Sequence, residues 1–394
     1  MMKKTIPFLI ILFCYQIIFS QIVTTKKLSA ASQISIITSG PGEVLYEKFG
    51  HTAIRVKDAA LQLDLIYNYG IFDFDNPTFY ADFTKGYMKY MLAKYPFYLA
   101  LKSNQQDKRW VKEQVLNLTQ QQKQQFFTIL ETNALPKNAG YLYDPFFDNC
   151  ATKPRDIIKK VVGTNLIFND DFVTKNLSLR QLMNKEIHPN TWGSLGINVA
   201  LGNRLDQIAT ANEYLYLPDY VFKALKNSKI LKEGKKVNLV SKTSILLDFE
   251  EKESKRDSFS PFLILSLLSL LGLYITYKDY KNKTRTKLLD FTLFFTTGII
   301  GLLIVYLWFY TNHSTAPNNF NFLWAFLPNI VVAFFLFKKN TPNWIAKYCL
   351  VLHLFLIIAI IIWITATQLF SITLIPLLIL LSIRYWFLQK TLNR

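Results

Sequence analysis

From Phe259 onward the chain is built almost entirely of long apolar runs, and these constrain its architecture more than any other feature. Runs at 259–277, 288–310, 322–337, 348–367 and 369–388 each approach the ~20 residues that carry a helix across a bilayer. The third is short, as a tilted or re-entrant segment would be. The connections between runs give the orientation. Lys278, Lys281, Lys283, Arg285 and Lys287 separate the first two runs, and Lys338, Lys339 and Lys347 separate the third from the fourth. Arg384, Lys390 and Arg394 flank the fifth, whereas the loops TNHSTAPNNFN and ATQ hold no Lys or Arg. The positive-inside rule makes the basic side cytoplasmic, so everything before Phe259 and the loop carrying His313 face outward.

The other end of the chain agrees. Residues 1–21, MMKKTIPFLIILFCYQIIFSQ, have a Lys3-Lys4 head, a short apolar core and Ser20 before Gln21. This is the pattern of a secretory signal peptide, with an uncleaved anchor as the alternative. Phe13 stands where a lipoprotein cleavage site at Cys14 would need a small residue. The expected division is therefore a leader at 1–21, an extracytoplasmic domain at 22–258 and a transmembrane domain at 259–394. The net charge of +18 follows from this plan, because residues 22–258 carry a surplus of only 7 positive charges. A modest basic surface beside anionic lipid headgroups accounts for that surplus, and no nucleic-acid partner is expected.

The outer domain reads as α+β. EVLYEKFGHTAIRV and LQLDLIYNYGIF alternate as two strands of a hairpin, and KYPFYLALKS and RWVKEQVLNL as two more. A short helix is expected within NPTFYADFTKGYMKYM. Thr119 can cap a helix over QQQKQQFFTILETNAL, and NAGYLYDPFFDN reads as a loop. CATKPRDIIKKVVG opens a helix that Gly163 can close. SLRQLMNKEI, TWGSLGINVAL and PDYVFKALKNS suggest further helices, and 229–248 a terminal pair of strands.

Cys150 is the only cysteine between residues 22 and 258, and Cys349 belongs to the fourth apolar run. A leftover exported cysteine points to an intermolecular disulfide or a reactive thiol, while a buried inert cysteine is the plainer alternative. A place in the first turn of a helix would favour the thiolate. Pro154 suits an early helical turn, and Lys153 and Arg155 add positive charge. A thiol nucleophile needs a base, and the base needs an orienting group. Alternation puts His51 on one strand face with Ala53 and Arg55, and Asp64, Ile66 and Asn68 together on the next strand. Asp64 or Asn68 can accept a hydrogen bond from His51. Cys150, His51 and Asp64 are the candidate catalytic set, and Asn149, Arg155, Asn68 and His313 the candidate substrate contacts. His188, in EIHPN, reads as a turn residue. His353, within the fourth run, needs an interhelical hydrogen bond. No Cys/His cluster, HExxH or P-loop pattern is present, so neither a metal nor a cofactor is expected.

FGHTAIRV and LDLIYNYG, followed by DNCATKPRD, together resemble circularly permuted papain-like proteins, in which the histidine strand precedes the cysteine helix. Such families include the NlpC/P60-related lecithin:retinol acyltransferases. More closely, YEKFGHTAIRV, YNYGIFDF, YDPFFDNCATKPRD and HSTAPNNFNFLW resemble the Lnb family of bacterial lipoprotein N-acyltransferases, over roughly residues 30–250 and into the multi-span half. The resemblance implies a permuted papain-like cysteine domain followed by an all-α five-helix transmembrane domain in the inner membrane. It implies transfer of a fatty acyl chain, through a thioester on Cys150, from a phospholipid donor to the α-amino group of a diacylated lipoprotein. A membrane-anchored NlpC/P60-like cysteine peptidase or amidase acting on wall peptide, and a non-enzymatic receptor or assembly factor, are the alternatives.

Overall fold

The computed structural model describes residues 26–232 and 234–392; the expected leader and Cys14 lie outside them. Among the described residues of the outer domain ten strands form: β1 (Gln33–Ser39), β2 (His51–Asp58), β3 (Leu63–Ile71), β4 (Lys89–Pro96), β5 (Val111–Leu116), β6 (Gly140–Leu142), β7 (Leu166–Ile167), β8 (Lys229–Lys232), β9 (Lys235–Asn238) and β10 (Val240–Leu247). Seven make one antiparallel sheet in the order β10-β5-β1-β2-β3-β4-β6, and β7-β8-β9 make a small second sheet.

The sheet is covered on both faces. Ile34, Ile36, Ile54, Val56 and Tyr67 pack into a large core with Phe126, Leu130 and Ile158 of the helices Gln120–Asn133 and Thr152–Val162. Ile37, Ala53, Ile66 and Val111 point the other way, to a smaller cluster with Phe97 of the helix Phe97–Gln106. Burial on both faces explains why the first strand, QISIITS, shows no clean polar-apolar alternation.

Several expected elements form where they were placed. Thr119 builds a full capping box with Gln122, and Gly163 ends the cysteine helix at φ 62°. Others differ. The strand expected over 43–56 begins only at His51, because Leu45–Glu47 forms a tight turn. KYPFYLALKS splits into the end of β4 and a helix from Phe97, just after Pro96, whose ring cannot donate to a ladder. The loop NAGYLYDPFFDN contributes the edge strand β6, and 229–248 forms three strands rather than two.

Among the described residues of the C-terminal region four helices are long and apolar enough to cross a bilayer: Pro261–Asn282, Lys287–Phe309, Trp344–Ile364 and Ile372–Leu392. The expected span at 322–337 is not one of them. Its apolar residues divide into a short turn, Phe320–Leu323, and a nine-residue helix, Asn329–Phe337, that starts after Pro328. That helix rises roughly 14 Å, about half of a ~30 Å hydrocarbon core. It lies tight against the second span, where a side chain at Gly298 would run into the backbone nitrogen of Ile330. His353 bonds to both Ser382 (3.3 Å) and Gln389 (2.7 Å) of the last span, two interhelical contacts that satisfy both ring nitrogens.

The two regions interlock through the loop after the second span. Asn312 N–H donates to Lys85 O (2.9 Å), Gly202 N–H to Thr315 O (2.8 Å), and Asn321 Nδ2 to Asn198 O (3.1 Å).

Candidate active site

One edge of the sheet brings the chemistry together. The end of β1, the starts of β2, β4 and β5 and the end of β3 all lie there, with Ser39 opposite both His51 and Val111. His51 therefore sits at the rim, on the face with Ala53, Ile66 and Asn68 that lines a cavity.

His51 Nε2 lies 2.5 Å from Asn68 Oδ1, and the Asn68 amide nitrogen donates to Tyr95 Oη (3.0 Å). That second bond fixes the amide so that its oxygen accepts from Nε2–H, leaving the other ring nitrogen for the hydrogen bond to Cys150. Burial opposes the Cys150 thiolate, but the His51 charge, its hydrogen bond, and the backbone N–H groups of Thr52 and Cys150 outweigh it, so the thiol titrates below its ordinary value. Burial likewise opposes the His51 imidazolium, and the neighbouring thiolate with the bonds to Cys150 and Asn68 lifts its pKa above the ordinary value. Both shifts favour the charged forms of the pair, thiolate and imidazolium.

The cysteine is held by the turn before its helix rather than in the first helical turn, since the helix begins at Thr152. Asn149 shapes that turn. Its Oδ1 accepts from Ala151 N–H (2.8 Å) and Thr152 N–H (3.0 Å), and its Nδ2 donates to Pro145 O (2.7 Å) and Tyr216 O (2.9 Å). Opposite the sulfur stands Gly70, at φ 91°, where a Cβ would lie 3.7 Å from that of Cys150 and 3.2 Å from the Tyr143 ring. The positive φ and the close approach together require glycine.

Three expectations change. Asp64 is not the partner of His51: its carboxylate takes a two-point bond from Arg55, at 2.7 Å on each arm. Asp64 faces Lys57, six residues down the strand from Gly70, which is roughly 20 Å of strand away from the rim. Asn149 has its amide atoms committed to backbone, and so supports the turn rather than offering a substrate contact. Arg155 bonds Asp156 (2.7 Å) and Asn212 O (3.1 Å) and does not line the cavity, while Lys153 pairs with Asp148 (2.8 Å). His313 does line it, its ring held by the carbonyls of Thr84 and Phe83, with burial as the largest influence keeping it neutral. Nearby, Ser314 Oγ donates to Asp144, which ties the cysteine loop directly to the membrane region.

The cavity holds about 1390 Å³, above the ~300–1,000 Å³ of ordinary small-molecule sites. Its walls include Cys150, His51, the aromatic residues Phe72, Phe74 and Phe79, and Leu303 and Leu307 of the second span. It also includes Arg109, which the sequence reading passed over; an arginine just ahead of a strand carries no pattern of its own.

Compared with known families, the chain matches the model of the Lnb N-terminal periplasmic domain over residues 21–185 and that of the Lnb transmembrane domain over 252–393. The chain belongs to the Lnb family. It is thus a membrane protein with an extracytoplasmic N-terminal domain. Cys150, His51 and Asn68 all lie within the first match, and His313 lies within the second. No curated protein and no solved structure matches this Lnb chain.

The ion pair makes a measurable prediction for the Lnb site. The thiolate fraction rises as pH passes the lowered thiol pKa, so alkylation of Cys150 by a small neutral haloacetamide is expected to stay fast below the ~8.5 of a free cysteine. Asn68→Ala removes the acceptor that steadies the imidazolium, and the alkylation midpoint is expected to move upward. A wild-type midpoint at or above the free value would rule the pair out.

Proposed function

We propose that this protein is a lipoprotein N-acyltransferase of the bacterial inner membrane, which moves an acyl chain from a phospholipid to the α-amino group of a diacylated lipoprotein cysteine. The observation that carries the reading is the Cys150–His51–Asn68 pairing beside a large cavity walled partly by the second span. A histidine strand ahead of the cysteine turn, with an amide orienting the base, also supports reading the domain as a permuted papain-like enzyme.

The chemistry balances in two halves. The Cys150 thiolate attacks the ester carbonyl, and a carbon–sulfur bond forms. As the tetrahedral adduct collapses, the carbon–oxygen bond breaks and His51 gives its proton to the departing lysophospholipid alkoxide. The lipoprotein amine then attacks the thioester; neutral His51 takes its proton, and the thiolate leaves to restore the ion pair. The Cys150 backbone N–H is the candidate donor to the oxyanion in both halves. Apolar walls keep water from the thioester until the amine arrives.

The test is complementation of a strain that lacks lipoprotein N-acylation, read by mass spectrometry of lipoprotein N-terminal peptides. The wild-type chain is expected to add the mass of one acyl group, and Cys150→Ala and His51→Ala are not. Full N-acylation by both variants rejects the reading, and cleavage of wall peptide with lipoproteins unchanged would select a peptidase.

A further inference from the structure

We infer that Arg109 forms an anion subsite that holds the phosphodiester of the acyl donor, and so sets which way the lipid lies across Cys150. The inference rests on the acyl-transfer reading and adds to it a donor-selecting residue.

Strand order places the parts. β2, which carries His51, lies between β1 and β5 on one side and β3 and β4 on the other. Arg109 stands two residues before Val111, beyond the Val111–Ser39–His51 row, at the β5 side of the cavity. Phe72, Phe74 and Phe79 follow β3 on the opposite side, as does the loop from the second span. The cavity therefore has Arg109, faced by Glu47, on its β5 side and an aromatic wall on its β3 side that adjoins the membrane helices. An amphipathic donor fits one way round, with its charged group at Arg109 and its acyl chains along the aromatic wall.

The guanidinium is buried, at 9% exposure, yet incompletely paired. Nε donates to Gly40 O (2.8 Å) and Nη1 reaches Glu47 only at 3.5 Å. Nη2 has no partner among the described residues. An arginine in this state is matched by a phosphate oxygen, for which its planar donors are suited. The acceptor of the second half-reaction carries no phosphate on its diacylglyceryl group, so a cation here distinguishes donor from acceptor.

The test uses the full chain in detergent micelles, in phosphate-free buffer. Acylation of Cys150 is followed by intact mass with either phosphatidylglycerol or the diacylglycerol of the same chains. Wild type is expected to prefer the phospholipid by about 10- to 100-fold in kcat/KM, and Arg109→Gln to remove that preference by slowing the phospholipid far more than the diacylglycerol. Arg109→Lys, which keeps the charge without the planar donors, is expected to fall between them. Equal use of both donors by wild type overturns the subsite whether or not the variants fold, and so does an equal slowing of both donors in Arg109→Gln. Strong inhibition by inorganic phosphate, with no donor preference, would assign the subsite to the free ion instead and overturn the lipid role. Absence of any thioester with either donor rejects the acyl-transfer reading itself.

Discussion

Cys150→Ser is expected to abolish thioester formation and to lower acyl transfer by at least about 10³-fold, as loss of the nucleophile does in other covalent enzymes. The substitution changes one atom, and the cavity and the turn held by Asn149 should survive it. What is lost is acidity. The pairing with His51, Thr52 N–H and Cys150 N–H stabilises a thiolate, and a hydroxyl does not ionise in that environment. His51→Ala is expected to cost nearly as much, because burial then opposes the thiolate without the His51 charge and hydrogen bond. The combined variant should be little worse than either single one, since two groups of one ion pair act as a unit. Single-turnover mass spectrometry of the acyl-enzyme measures all three. Residual activity above a tenth of wild type in Cys150→Ser, or multiplicative losses in the double variant, would remove the covalent mechanism.

The residues of the site were legible to different depths, for physical reasons. Cys150 stood out by compartment: an exported cysteine without a partner is chemically conspicuous. His51 stood out by strand parity, which the β1–β2 register confirms. Parity could not separate Asp64 from Asn68, because both project from the same face of β3. Register decides between them, and register is a property of the paired sheet rather than of either strand alone. Asn149 and Arg155 are harder to read, because a polar residue beside a nucleophile has the same local sequence whether it caps a turn or meets a substrate. The short helix Asn329–Phe337 shows the corresponding limit in the membrane region. Its composition resembles a span, and only the break at Pro328 shows that its helix is nine residues long.

Arg384→Met is expected to destabilise the membrane region by about 3–5 kcal/mol, the range seen when one partner of a buried ion pair is removed. The basic residue that counts toward cytoplasmic orientation in the sequence is fully buried in the fold. Its Nε bonds Asp290 Oδ1 (2.6 Å), and its Nη1 bonds Asp279 Oδ2 (2.8 Å) and Thr276 Oγ1 (3.2 Å). Arg285 approaches the other Asp290 oxygen at 3.4 Å. The last span is thereby clasped to the end of the first, the start of the second and the loop between them. Methionine keeps much of the volume but leaves two carboxylates away from water with half their positive charge removed. Adding Asp279→Asn and Asp290→Asn to Arg384→Met should therefore restore much of the loss, which a purely steric role for Arg384 does not predict. Thermal unfolding in detergent and abundance in the membrane fraction report the sequence of variants. An Arg384→Met chain as stable as wild type, or a triple variant no better than the single one, would show that the clasp does not hold the bundle. The effect reaches the active site because the second span that Asp290 anchors also supplies Leu303 and Leu307 to the cavity. Loosening its cytoplasmic end should slow acyl transfer while leaving the alkylation midpoint of Cys150 unchanged, since the His51–Asn68 pair is held by the sheet alone.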